Sequence, residues 1–311
     1  NVNSAALVAL NPHTGEILAL VGSPDYQDAR NAGAINMTLV PRQPGSALKP
    51  ILYAAALDPN QPFPWTAATM ILDVRTSFVT RDGQAYTPTN YDFKEHGPVL
   101  AREALASSLN IPAVKTLEHV GMEKFLNLAK KLGISTFGDP DNYDLSLALG
   151  GGEVRLLELT AAYAAFANGG FRLHPVAILE ILDSTGNQLY TPLPAPRERI
   201  LDERLVWLIS DILSDDNARV IGFGRHSILN LDRPAAVKTG TTSNYHDNWT
   251  IGYTPDLITG VWAGNTNYEP MRDVSGVTGA APIWHEFMRS VLSAFPERGF
   301  TRPAGLVQVE I

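Results

Sequence analysis

The sequence predicts an α+β fold: an antiparallel sheet of about five strands built from both chain ends, flanked by a mainly helical subdomain. Three observations predict it. Strand-like apolar runs open the chain and return near its end, the stretch between them is dominated by helical periodicity, and 45% hydrophobic content over 311 residues supplies a large core. No internal repeat or low-complexity linker interrupts residues 1–311, so they are expected to form one domain.

The first element is a hairpin, because "AALVALNPHTGEILALVGS" sets two apolar runs around a Pro-His-Thr-Gly turn. A helix follows in "RQPGSALKPILYAAAL", residues 42–57: Pro44-Gly45 punctuates its start, good helix formers run from Ala47 to Leu57, and Asp58-Pro59 stops it. Ser46 therefore belongs at or near a helix N-terminus. Residues 60–98, rich in Pro, Thr, Asn and Gly, read as a long irregular excursion with short strands, the kind of loop that borders sites.

Helical patterns then take over in "VLAREALASSLN", "IPAVKTLEHVG" and "MEKFLNLAKKLG", each ending near Asn or Gly. The triplet Gly150, Gly151, Gly152 reads as a tight turn before another helix from about Arg155 to Asn168, since no Gly-Lys-Ser/Thr follows to make it a phosphate cradle. A second hairpin is expected at residues 176–190, where "VAILEILDSTGNQLY" alternates around Ser-Thr-Gly-Asn. In "DERLVWLISDILSD" the residues Leu205, Leu208, Ile209, Ile212 and Leu213 share one helix face and predict a core helix. The strand-like runs "AAVKTG", "NWTIGYTP" and "LITGVWAG" and a last helix in "APIWHEFMRSVLSA" complete the order, with Trp249, Tyr253 and Trp262 expected in the core or on the sheet surface. "GLVQVEI" ends the sequence as one more strand-like run, and the chain is expected to be a piece of a longer protein.

Charge and composition exclude several functions. The 24 basic and 32 acidic residues leave a net charge of −8 without long blocks of one sign, so nucleic acid is not an expected partner. Absence of cysteine removes disulfides, thiolate catalysis and Cys-based zinc sites together. The seven histidines, at 13, 96, 119, 174, 226, 246 and 285, show no metal-ligand spacing, and neither metal nor cofactor is expected. No run approaches ~18 uninterrupted apolar residues, and "NVNSAALVAL" lacks the features of a signal peptide.

Chemistry concentrates on "SALK". A helix brings residues three apart onto one face, so Ser46 and Lys49 can meet while Ser46 sits among unpaired amides. A neutral lysine amine can take the hydroxyl proton, and the helix terminus favours negative charge on a substrate oxygen. Taken alone, the pair also reads as a capping serine beside a solvated lysine. However, "SLN" (Ser108, Leu109, Asn110) and "KTG" (Lys238, Thr239, Gly240) follow once each in chain order, and the three together are a signature of class A β-lactamases and penicillin-binding proteins.

With the surrounding "RQPGSALKP", "SLNIPAVK", "LALGGGEV", "LTAAYAAFANGG", "VKTGTT" and "WTIGYTP", nearly the whole chain resembles the transpeptidase domain of bifunctional, class A penicillin-binding proteins, in the serine β-lactamase/D,D-peptidase superfamily. The resemblance implies a Ser46 acyl-enzyme formed from a peptidoglycan stem peptide ending in D-Ala-D-Ala, inhibition by β-lactams, and work outside the cytoplasmic membrane, with anchor and glycosyltransferase domain in segments beyond this chain. It implies Lys49 as base, Ser108 as proton relay, Lys238 as neighbouring charge, and Asn110 on the peptide's amide. Thr239 and Thr241 would hold the terminal carboxylate, and Gly240 would admit the substrate backbone. The oxyanion hole would be the backbone amides of Ser46 and Thr241.

Lys49 then has to depart from an ordinary pKa of ~10.4 toward ~7 to 8, about 4 kcal/mol, and burial, the helix terminus and Lys238 all push that way. A β-lactamase would also need a water-positioning carboxylate, for which Glu153 and Asp144 stand at plausible places in the sequence. A D,D-carboxypeptidase and a non-catalytic penicillin-binding sensor are the other readings. By proximity to "KTGTTSN", Tyr245, His246 and Asp247 are considered for the cleft rim.

Overall fold

The computed structural model describes residues 2–80, 82–193, 197–272 and 274–309. Strand β1 (Ser4–Leu10) turns through Asn11–Glu16 into β2 (Ile17–Val21), Gly15 supplying the positive φ of 81° that the turn requires. A 3₁₀ turn, Gly45–Leu48, leads directly into helix α1 (Lys49–Leu57). "KPILYAAAL" is apolar almost all round, and every residue of α1 is buried.

The excursion that follows carries β3 (Met70–Asp73), β4 (Phe78–Val79), β5 (Ala85–Tyr86) and β6 (Gly97–Leu100), paired as two small ribbons, β3 with β6 and β4 with β5. Helices α2 (Ala101–Ala106), α3 (Asn110–Val120), α4 (Met122–Lys131) and α5 (Leu156–Ala167) form the helical middle. Glu103 at the start of α2 accepts from the Leu100 amide at 2.9 Å, occupying a donor that would otherwise be orphaned. The hairpin expected at 176–190 shrinks to β7 (Ile181–Leu182) and β8 (Gln188–Tyr190). Then come α6 (Glu203–Ser214), α7 (Val220–Phe223), β9 (Ala236–Thr241), β10 (Asp247–Tyr253), β11 (Ile258–Gly264) and α8 (Ala280–Leu292).

The predicted α+β class holds. Five antiparallel strands from both chain ends order as β2-β1-β11-β10-β9, with Val8 opposite Gly260 and Trp249 opposite both Trp262 and Gly240. Alternation along β1 sends Ala6, Val8 and Leu10 into the core shared with α1, α5 and α6, while Leu7 and Ala9 join Trp284 and Met288 of α8 beneath the other face. Both faces are therefore covered, which is why β10 and β11 are buried throughout. Close approach is enforced by glycine: a Cβ at Gly252 would sit 2.3 Å from the Trp284 ring, and one at Gly260 would sit 2.1 Å from the Thr160 hydroxyl of α5.

Two sequence readings change. In α6 Leu208 is only half-buried and Val206 enters the core, because the helix lies turned slightly on its seat. In "GLVQVEI" the described residues 305–309 form no strand: Val307 and Val309 are 84% and 72% exposed, and no neighbouring strand satisfies their backbone groups. Its last two residues, Glu310 and Ile311, lie outside the described residues. Among the described residues no helix is long and apolar enough to cross a membrane.

Candidate active site

Ser46 lies in the 3₁₀ turn ahead of α1, where i and i+3 eclipse, and the Lys49 amide closes the turn on the Ser46 carbonyl. Three glycines let this turn be wedged between segments. Gly45 has φ +54° and its Cβ would fall 2.5 Å from the Thr241 carbonyl oxygen; a Cβ on Gly150 would meet the Gly45 backbone at 2.3 Å; one on Gly240 would meet the Pro44 carbonyl at 2.0 Å. Neighbouring contacts pin it further: Trp249 Nε1 donates to the Gln43 carbonyl at 2.8 Å, Tyr163 OH donates to the Ala47 carbonyl at 2.6 Å, and Arg42 and Val154 exchange backbone bonds of 3.0 and 2.8 Å.

The half-buried Ser46 opens onto a cleft also lined by Ser108, Asn110, Thr239 and Thr241. Its volume, about 760 Å³ with the mouth included, suits the end of a peptide or a small bicyclic ligand.

Lys49 begins α1 and is wholly buried. Its Nζ donates to three oxygens: the carbonyls of Ser108 (2.7 Å) and Leu109 (3.0 Å) and Asn110 Oδ1 (2.9 Å). Burial first, and then repulsion from Lys238, hold the amine well below the ordinary lysine range, with Asp73 pulling the other way. Once neutral, the amine has only two N–H groups for three oxygens and gains a lone pair, so deprotonation frees an acceptor at the site.

Lys238 reaches across from β9 and donates to Ser108 Oγ at 2.7 Å and to the Thr239 carbonyl at 2.9 Å. Burial, followed by the charge of Arg219, brings it down to about 7. Arg219 is itself buried, bonded to the Leu213 carbonyl and paired with Asp216 at 3.4 Å. Ser108 links the two amines because it adopts a left-handed φ of 61° just after α2, a conformation glycine usually supplies, which turns its carbonyl to Lys49 and its hydroxyl to Lys238.

Asn110 opens α3, its Nδ2 donating to the Thr89 carbonyl at 2.8 Å while Oδ1 receives Lys49. One N–H and one lone pair of the amide stay free for a ligand. Thr239 and Thr241 line the cleft; Thr241 Oγ1 accepts from the Gly276 amide at 2.8 Å and keeps its own proton to donate. Gly240 departs from expectation. Strand alternation gives it the face of Lys238, and its bare Cα admits the Pro44 carbonyl instead of opening onto the cleft.

Tyr245, His246 and Asp247 do not line the cleft. His246 stacks on Tyr268 with ring centroids 4.4 Å apart, and Asp247 is buried on β10, its carboxyl raised to about 6 chiefly by burial while Trp262 Nε1 donates to it at 2.8 Å. The β10 register carries them past the end of β9. Neither Asp144 nor Glu153 lines the cleft; both are exposed, and Asp144 caps the Ser146 amide at 2.8 Å. Sequence reasoning missed Asn90, Asp92, Ile221, Phe223 and Val277, all part of the lining. The irregular composition of residues 60–98 was the one local hint of the first two.

Residues 5–289 match the family described as penicillin binding protein transpeptidase domain. Penicillin-binding protein 2D of Bacillus subtilis is 35% identical over 310 residues, covering 97% of this chain and 43% of that protein. Penicillin-binding protein 1A of Aquifex aeolicus is 36% identical over 316 residues, covering 98% of this chain and 40% of that protein. The chain thus spans less than half the length of these relatives. The crystal structure of penicillin-binding protein 1A from Haemophilus influenzae superposes with a TM-score of 0.83 at 27% identity, over 97% of this chain and 49% of that one. The PonA1 protein of Mycobacterium tuberculosis in complex with penicillin V shares the fold, with a TM-score of 0.82 at 21% identity over 98% of this chain and 82% of that one.

Proposed function

The chain belongs to the penicillin-binding protein transpeptidase domain family, and from that premise we propose that it is a D,D-transpeptidase. It joins peptidoglycan stem peptides through an acyl-enzyme on Ser46 and is acylated by β-lactams at the same oxygen. Residues 1–311 act as a single catalytic domain on the outer side of the cytoplasmic membrane.

Lys49, whose burial favours the neutral amine, takes the Ser46 proton as the oxygen attacks the carbonyl between the two terminal D-alanines. The amides of Ser46 and Thr241 receive the oxyanion, a role in which losing one donor removes roughly 3 kcal/mol of transition-state stabilisation. Thr239 and Thr241 hold the terminal carboxylate. Ser108, bridging the amines, passes the proton to the departing D-alanine, and Asn110 holds the peptide's amide. In the second half-reaction an amine attacks the ester and Ser46 regains its proton.

One observation carries the reading: two buried lysines from distant segments meet on Ser108, Lys49 on its carbonyl and Lys238 on its hydroxyl, both at 2.7 Å, beside a cleft that contains Ser46. The exposed positions of Glu153 and Asp144 outside the cleft weigh against a β-lactamase. Intact mass spectrometry with a labelled penicillin, followed by peptide mapping, tests the proposal. The expected result is one adduct on Ser46 that survives for hours. Turnover within seconds would indicate a lactamase, and an adduct elsewhere would remove Ser46 from the mechanism.

A further inference from the structure

The cleft has one carboxylate among its described lining residues, Asp92, and none of the three motifs includes it. Its side chain is 40% exposed. One oxygen, Oδ1, accepts from the Lys94 amide at 3.1 Å, and the other, Oδ2, faces His96 Nε2 at 3.2 Å. Behind His96 lies Asp73, wholly buried, whose Oδ2 meets His96 Nδ1 at 2.6 Å and the His96 amide at 3.1 Å. Asn90 Nδ2 donates to both Asp73 oxygens, at 2.9 and 2.7 Å, while Asn90 Oδ1 accepts from the Asn110 amide at 2.8 Å.

A surface turn needs no such support. The bond to Lys94 alone would make Asp92 an ordinary turn aspartate, but the series Asp92, His96, Asp73, Asn90, Asn110 runs unbroken into the residue that holds Lys49. Each Asp92 oxygen has a second lone pair. The carboxylate is thereby fixed relative to the reacting centre at the cleft's open side, whereas Lys49 and Lys238 are wholly buried behind the lining.

Transpeptidation needs a second substrate, an amine, which arrives in water as an ammonium ion. Asp92, the one carboxylate among the described lining residues, attracts such a group. We propose that Asp92, held by His96 and Asp73, binds the acceptor as a primary ammonium group. This rests on the transpeptidase reading and names the chemistry of its second substrate. The bound ammonium gives one proton to solvent. The resulting amine then attacks the Ser46 ester, a C–N bond forms, the bond from the acyl carbon to Ser46 Oγ breaks, and the nitrogen's surplus proton goes to Ser46 Oγ. Products are an amide and the free serine.

The test uses a thioester analogue of a D-Ala-terminated donor, with Nα-acetyl-lysine amide as the amine, and measures the ratio of amide to hydrolysed acid. In Asp92→Asn the amine concentration for half-maximal capture rises about tenfold, the scale of one charge-assisted contact. Asp92→Glu recovers most of the loss, and His96→Gln shifts the same quantity less, because it loosens Asp92 without removing the charge. Penicillin acylation, which consumes no amine, is measured on every variant. An unchanged ratio in Asp92→Asn, against a wild type that captures amine, overturns the inference alone. So do equal losses in capture and acylation, which would mark general damage to the cleft. A wild type that is acylated by the donor yet yields only acid overturns the transpeptidase reading, and this inference with it.

Discussion

The start of α1 and the middle of β9 each bury a lysine, and they bury it differently. Lys49 sits in a cage of three oxygens, two of them backbone carbonyls, and is held well below the ordinary range. Lys238 meets one hydroxyl and its neighbour's carbonyl, and comes down to about 7. Removal from water lowers both, and each lysine has a further basic group beside it: Lys238 acts on Lys49, and Arg219 acts on Lys238. In the proposed reaction the helix side holds the base and the strand side helps to keep it neutral, with Ser108 common to both.

The largest expected effect comes from breaking the helix side. Lys49→Ala should lower the rate of penicillin acylation about 10²- to 10⁴-fold, the usual worth of a general base, while circular dichroism stays that of the folded protein. A near-normal rate would refute the role of Lys49.

Breaking the strand side should do less at neutrality and move the pH profile. Lys238→Met removes the repulsion that depresses Lys49, so the acid limb of acylation shifts to higher pH, with a loss of roughly 10- to 100-fold at neutral pH. Stability offers a second reading of the same residue. Between about 7 and the ordinary 10.5 the unfolded chain holds a proton on Lys238 that the folded chain lacks, so stability rises with pH through that window, and the destabilisation is complete below about 7. Denaturant titrations across that range should show the rise in wild type and a weaker one in Lys238→Met.

Gly240→Ala sharpens the comparison at the seam between the regions. Its new methyl would meet the Pro44 carbonyl and push the Ser46 turn away from β9, an overpacking expected to cost about 1 to 3 kcal/mol of stability and to slow acylation. If Gly240 instead faces the ligand, stability will stay put and only acylation will fall. The smallest effect belongs to the exposed hairpin: Leu182→Ser should change stability by no more than about 0.5 kcal/mol, since Leu182 is 49% exposed.

That hairpin and the one at the N-terminus look alike in sequence, both being alternating apolar runs around a polar turn. One became the sheet's edge, and the other lies exposed with Ile181 at 44% and Tyr190 at 45%. Alternation reports a strand's two faces but not what either face meets. "GLVQVEI" failed for the same reason.

The candidate site was legible where its signals were local: Ser46 and Lys49 on one turn, the left-to-right order of "SALK", "SLN" and "KTG", and helices and strands set by periodicity and turn chemistry. The caging of Lys49 by residues about 60 positions away, the left-handed Ser108, the glycine contacts that seat the Ser46 turn, and the support of Asp92 by His96 and Asp73 were decided only by tertiary structure. Local patterns depend on neighbours in the chain and can be read along it. Burial, hydrogen-bond partners and charge environment depend on segments that become neighbours only once the core has closed.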